Sequence, residues 1–219
     1  MTISEALQAV GVRARIVDTN HKALLGPWVS IFARPQSEWK SLTLDLWTPF
    51  RQLLPKFTAR QRRSLVEIAP ILDEGLLEVA YLYNDGRYDY LHVGGMPLLE
   101  QGRMGGLENF PGPLSRFYRE LHDGYGLVRT AALGPLPRRE LRTLDDIDNG
   151  DRLAEYEPCE EKVVVLWNGG PGYLVLDVKS QLGDQPDALM WWTDEPPDRA
   201  PFWPSLDAFM EVGVSELDE

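Results

Sequence analysis

The chain has 219 residues, 43% hydrophobic and 26% charged, with a net charge of −12. It holds enough apolar surface to bury a core, which excludes a disordered chain, and its length suits one large domain or two small ones. A charge of that sign repels phosphate backbones and argues against nucleic-acid binding as the main role.

The charge is unevenly spread. Residues 1–100 carry 11 acids and 11 bases, whereas residues 101–219 carry 23 acids and 11 bases, so the whole excess lies in the second part. That asymmetry favours a basic protein partner. Cys159 is the single cysteine, which excludes an internal disulfide framework. Residues 1–12 carry only Glu5 as a charge and lack the basic start of a signal peptide. The apolar stretch 23–33 contains Gly26-Pro27 and is too short to span a bilayer. A cytoplasmic protein with no membrane contact is expected.

In chain order, Thr2 and Glu5 have capping-box spacing, with Ile3, Leu7 and Val10 at helical intervals, so a helix is expected to end near Gly11. Residues 12–17 suit a strand. Residues 37–54 fit a helix through Trp39, Leu42 and Leu46, and a strand through Leu42, Leu44 and Leu46. Thr58 and Gln61 repeat the capping-box spacing, and Leu65, Ile68 and Leu72 then predict a helix that bends or stops at Pro70. Residues 76–84, Asp85-Gly86 and residues 87–93 predict a β-hairpin. The Gly- and Pro-rich stretch 96–112, with Gly94-Gly95 ahead of it, predicts a linker or long surface loop. Pro113 opens a helix with Leu114, Phe117, Tyr118 and Leu121 on one face, stopped by Asp123-Gly124. Leu141, Leu144 and Ile147 suggest a further short helix. Residues 163–167 and 173–178 are expected as strands joined by Asn168-Gly169-Gly170-Pro171-Gly172. Another strand is expected over 188–193, and Ser205 can cap a last helix.

Catalytic signatures are not found in the sequence. No serine has nucleophile-elbow context, and Gly170-Pro171-Gly172 lacks both a third glycine and a following helix. The three histidines, His21, His92 and His122, show no metal-binding spacing. Anchoring a calcium loop at Gly150 puts Ile147 and Tyr156 where ligands belong. A carboxylate pair for glycoside chemistry is defined in space and stays open. Seven Trp and many acids suit a sugar site, but they equally suit a core and a solvated surface. No cofactor and no metal are expected.

The second part carries an ordered series of motifs. Phe110-Pro111-Gly112-Pro113-Leu114 leads through Phe117-Tyr118 to Asp123-Gly124. Leu133-Gly134-Pro135-Leu136 precedes Glu140-Leu141 and Leu144-Asp145-Asp146-Ile147. Residues 163–177 carry Asn168-Gly169-Gly170 in a turn, and Ser205-Leu206-Asp207-Ala208-Phe209-Met210 closes the series. This series resembles the SMI1/KNR4, or SUKH, superfamily over about residues 107–217. The resemblance implies an α+β domain over 96–219 with a mixed, mainly antiparallel sheet and flanking helices. Residues 1–95 lie outside the resemblance; their hairpin at 76–93 is apolar on both faces and must be covered, so an N-terminal α/β extension packed on that domain in one continuous globule is expected.

The resemblance also implies a protein without catalysis. Many bacterial members are immunity proteins that neutralise a polymorphic toxin, often a nuclease. The composition agrees, because an acidic inhibitor is steered to a basic cleft. The expected partner is a cognate toxin with a basic active-site surface. The expected contact residues are Asp145, Asp146, Asp148, Asp151, Glu155, Glu157, Glu160 and Glu161, with Trp167, Asn168 and Tyr173 beside them. The alternatives are a scaffold or regulatory module of the same fold, and a glycan binder or glycan-acting enzyme.

Overall fold

The computed structural model describes residues 1–19, 21, 23–98, 109–148, 156, 159–182 and 185–214, without the side chains of 160 and 180–182. Two five-stranded antiparallel sheets and six α-helices give an α+β fold, as expected. The first sheet follows chain order: β1 (Arg15–Ile16), β2 (Leu65–Asp73), β3 (Leu76–Asn84), β4 (Asp89–Gly95) and β5 (Asp123–Leu127). The second does the same with β6 (Arg142–Thr143), β7 (Lys162–Trp167), β8 (Gly172–Leu182), β9 (Gln185–Trp192) and β10 (Asp198–Pro201).

Residues 132–136 join the sheets. On one side, Tyr125 N–H donates to Pro135 O at 2.8 Å and Leu127 N–H to Ala132 O at 2.9 Å. On the other, Leu133 N–H donates to Trp167 O at 2.9 Å and Leu136 N–H to Val165 O at 2.8 Å. Backbone hydrogen bonds therefore run unbroken from β1 to β10. The crossing is so close that a Cβ at Gly134 would run into Tyr125 O, and one at Gly126 would sit 2.6 Å from Ala131 O. The 95/96 boundary expected from the sequence falls between β4 and β5, which pair from His92↔Leu127 to Gly95↔Asp123.

Strand alternation divides the apolar residues between two faces. Val79, Tyr81 and Tyr83 of β3 enter the main core, with Trp28 and Phe32 of α2 (Pro27–Phe32) and Phe57 of α4 (Pro55–Ser64). The same core holds Val165, Leu166, Leu174 and Leu176 of the second sheet, and Trp203, Leu206 and Met210 of α6 (Phe202–Gly213). Ala80 and Leu82 point the other way, under Ile3, Ala6 and Leu7 of α1 (Ile3–Ala9). The capping box of Thr2 and Glu5 forms. Among the described residues no helix is long and apolar enough to cross a membrane.

Several local expectations are corrected. Residues 65–73 form β2, and the helix lies upstream, in α4. Ile68, Ala69, Pro70 and Ile71 are all buried, so β2 loses the alternation that marks a strand covered on one face. Pro70 pairs with Val79, and its carbonyl accepts from Val17 N–H at 3.0 Å. Thr58 does not cap a helix; inside α4 its hydroxyl donates to Leu54 O at 2.8 Å. The ambiguous stretch resolves as α3 (Gln36–Leu46) and a 3-10 turn at Thr48–Phe50. The helix suggested by Leu141, Leu144 and Ile147 is instead two 3-10 turns, Arg138–Glu140 and Leu144–Asp146, flanking β6. Gly94-Gly95 belongs to β4, and α6 starts at Phe202, ahead of Ser205. α5 (Gly112–Arg116) continues as a π turn, Phe117–Leu121, which β5 follows. Of the expected linker, residues 99–108 lie outside the described residues.

Candidate interaction surfaces

The outer face of the second sheet is covered by the chain leading into β7. Val164, Val175 and Trp191 of the sheet are buried with Leu136, Leu144 and Cys159. The acids of this segment have different jobs. Asp146 Oδ2 accepts from Thr143 N–H at 2.8 Å and from Thr143 Oγ1 at 3.0 Å, capping the 3-10 turn. Those hydrogen bonds hold its carboxyl below the usual range. Asp148 Oδ2 accepts from Trp191 Nε1 at 3.2 Å, so it anchors the cover to the sheet. Glu161 pairs with Lys179. Asp145 and Asp146 are exposed. Asp151, Glu155 and Glu157 lie outside the described residues, as does the Glu160 side chain.

The aromatic residues beside them belong to a platform. Trp167 and Tyr173 are partners across β7 and β8 and pack half-buried on the same cluster. Trp167 Nε1 donates to Gly170 O at 2.6 Å. Asn168 Oδ1 accepts from Gly170 N–H at 2.8 Å and Gly172 N–H at 3.0 Å, which fixes a turn where Gly169 has φ 84°. Asp148 and Asn168 therefore build the surface, and Asp145 and Asp146 are what it presents.

A second feature lies on the α1 side of the first sheet, where a cleft of about 770 Å³ opens. Its floor is one row across three strands. Glu78 of β3 faces Gly95 of β4, and Gly95 faces Asp123 of β5. Simple alternation from the buried Tyr125 would send Asp123 into the core. A register shift after Gly94, with Gly124 at φ 79°, turns it onto the row of Glu78 instead. Gly95 leaves the space between them open, and a Cβ there would sit 2.5 Å from Asp123 O.

The walls bring more charge. Asp73 comes from the end of β2 and Glu74 from the β2–β3 turn, Arg139 and Glu140 from the 3-10 turn before β6, and Arg13 and Arg129 from two further segments. Arg129 Nη2 donates to Gly11 O at 2.6 Å, and Arg139 Nε lies 3.5 Å from Glu140 Oε1. Asp123 Oδ1 accepts from Arg138 N–H at 2.7 Å. Burial pushes the Glu78 carboxyl above its ordinary range, against the pull of the Arg139 guanidinium. Burial raises Asp123 too, opposed by the Arg138 N–H and by the Arg138 and Arg139 charges.

Sequence reasoning missed this cleft. Its signals in the sequence are Gly94-Gly95, which lie just ahead of the expected linker, and Asp123-Gly124, which read as a helix stop. Sugar clefts stack rings on accessible aromatic faces. Among the described residues no Trp lines this one, and Trp28, Trp39, Trp47, Trp191 and Trp203 are buried. No group of three or more His, Cys, Asp or Glu among the described residues is arranged to hold a metal ion. Comparison of the chain with family models, with curated proteins and with solved structures finds no match.

Proposed function

We propose that the chain is a non-catalytic immunity protein of the SMI1/KNR4 type, which acts in the cytoplasm by binding a cognate toxin and occluding its active site or substrate access. The observation that carries this reading is the placement of charge. The acid excess falls in residues 101–219, and Asp145 and Asp146 stand exposed on a packed platform. A toxin that handles phosphates needs a basic cleft, and an acidic surface on a rigid base is drawn to such a cleft and can fill it. The order of the motifs from Phe110 to Met210 supports the family assignment.

The test begins with capture of the partner by tagged full-length protein in cells of the source organism. A single dominant partner that kills a naive host, and is silenced by co-expression of this chain, is the expected result. Recovery of housekeeping proteins alone would replace immunity with a scaffold role. With the partner in hand, Asp145→Lys is expected to slow association by about three- to tenfold at low salt and flatten its salt dependence, as rim charges do. The denaturation midpoint should not move, because Asp145 is exposed. Unchanged association kinetics would remove this segment from the interface. Asp148→Lys is a poor probe, since it breaks the bond to Trp191.

A further inference from the structure

We propose that the outward face of α4, with the tip of the β3–β4 hairpin beside it, is a binding surface for single-stranded nucleic acid. The basic side chains hold its phosphates, and one of its nucleobases stacks on Tyr88. This goes beyond the partner-binding reading above and does not depend on it.

A basic run stands out in this acidic chain. Residues 46–66 contain five cationic side chains, Arg51, Lys56, Arg60, Arg62 and Arg63, and no acid. α4 buries Phe57, Thr58, Gln61 and Ser64, so Lys56, Arg60 and Arg63, at i, i+4 and i+7, form a stripe along its outer side. Arg51, Lys56, Arg62 and Arg63 are exposed and form no ion pair with a described residue. Arg60 is half-buried and under-used. Its Nε is buried without a hydrogen-bond partner, and its Nη2 reaches Asp85 Oδ2 only at 4.0 Å. All but Lys56 are arginine, the side chain whose planar fork matches a phosphate. The nearest acids that follow are engaged elsewhere, Glu67 with Ile3 N–H at 2.9 Å and Asp89 with Asn84 Nδ2 at 2.8 Å.

Asp85 joins this stripe to an aromatic ring. Its Oδ1 accepts from Arg87 N–H and Tyr88 N–H, both at 2.8 Å, and its Oδ2 from the Tyr90 hydroxyl at 2.9 Å. The carboxylate that faces Arg60 therefore also fixes the hairpin tip. There Tyr88 is 48% exposed, and the Arg87 guanidinium lies 5.8 Å from its ring centre. Cations beside an exposed ring suit a single strand, because its phosphates meet the charges while an unpaired nucleobase stacks on the ring. An acidic peptide would use the charges alone. The acidic surface of the chain is screened from this face. α4 buries Phe57 in the core that Leu166, Leu174 and Leu176 of the second sheet enter, whereas Leu144, next to Asp145, packs with Val164 and Val175 on the opposite side. Layers about 10 Å apart on either side of a sheet exceed the Debye length of about 8 Å at physiological salt.

The test uses the full-length chain and the fluorescence anisotropy of a labelled oligothymidine of about ten nucleotides, with a polyglutamate peptide of equal charge as the comparison. Oligothymidine should bind with a dissociation constant of about 10–100 µM at about 50 mM salt. Its affinity should fall about sevenfold for each doubling of salt, as about four neutralised phosphates on a single strand require. Polyglutamate should bind at least about fivefold more weakly. Arg62→Glu combined with Arg63→Glu should weaken oligothymidine binding at least about tenfold and flatten its salt dependence. Tyr88→Ala should weaken it about fivefold with the salt dependence unchanged, and Tyr88→Phe should leave it intact, because stacking needs the ring and not the hydroxyl. All three side chains are exposed, so the circular dichroism and thermal midpoint of each variant should match those of the parent chain. No saturable binding below about 1 mM would overturn the assignment. So would an affinity indifferent to Tyr88→Ala. Polyglutamate binding as tightly as oligothymidine would also overturn it, and would make the face a site for an acidic protein segment.

Discussion

Lowering the pH from 7 to 4.5 is expected to cost the fold about 4–5 kcal/mol, through two histidines that the core holds neutral. That is comparable with the whole stability of many domains. His92 Nε2–H donates to Gly213 O at 2.7 Å, and its Nδ1 is buried without a partner. His122 Nδ1–H donates to Gly95 O at 2.9 Å, so its Nε2 accepts from the Tyr81 hydroxyl at 2.6 Å. A second proton on either ring would be buried with no acceptor, or would meet a donor. Burial pushes His92 down to about 4 and His122 down to about 3, while the carbonyls of Gly213 and Gly95 oppose it.

The direction follows from where the protons bind. Both folded-state values lie below the ordinary histidine value of 6.5, so the unfolded chain takes up more protons. The stabilisation is complete above pH 6.5 and drains away as pH falls towards about 4 for His92 and about 3 for His122. Glu78 and Asp123 act with the opposite sign, because their folded-state values are raised. Their contribution is present at acid pH and is lost as pH rises, so it opposes the histidines wherever the two ranges overlap. Between pH 6 and 5 the unfolded histidines take up their protons while the folded ones do not. Urea denaturation there should show stability rising with pH at a slope approaching about 2.7 kcal/mol per unit, two protons' worth. His92→Gln should remove one proton from that slope. A slope under about 1 kcal/mol per unit would mean that the folded core accepts the protons.

Those histidines also show what a sequence can and cannot disclose. As letters, His92 and His122 offered no metal-binding spacing and nothing more. Their role comes from Gly94, whose missing Cβ makes room for the His122 ring, and from Gly213 at the far end of the chain. Elements with local chemistry were legible. Thr2 and Glu5 are three residues apart and fix the start of α1. Asn84 pairs with Asp89 across the expected hairpin turn, and Asn168 organises its own glycine turn. Elements defined by long-range burial were not. β2 looked helical because it is covered on both faces. The cleft needs Glu78, Gly95 and Asp123 in register, and the bulge at Gly124 that sets the register appears in the sequence only as Asp-Gly. The acidic contact residues were visible as charge, but their division into exposed Asp145 and anchoring Asp148 depends on where Trp191 lies.

The largest effect expected from a single substitution concerns Asp207. α4 begins at Pro55 behind Leu54, which offers no capping side chain. Its first free N–H groups are satisfied from another helix instead. Asp207 of α6 accepts from Lys56 N–H at 3.0 Å and from Phe57 N–H at 2.9 Å, one oxygen to each. Asp207 is 3% exposed and Phe57 is 0% exposed, so water does not replace the carboxylate. The charge also lies at the positive end of the helix. Asp207→Ala orphans the buried Phe57 N–H and the part-buried Lys56 N–H at once and should cost about 3 kcal/mol in chemical denaturation. Asp207→Asn keeps one oxygen, turns an NH2 towards the other donor and loses the charge, so about 2 kcal/mol is expected. A loss below about 1 kcal/mol for the alanine variant would show that the start of α4 reaches solvent when the carboxylate is gone. The site ties residues 56 and 57 to residue 207, so its removal should loosen α4 and α6 together. Faster amide exchange at both helices, with β7 and β8 still protected, is the pattern that separates a lost cap from general unfolding.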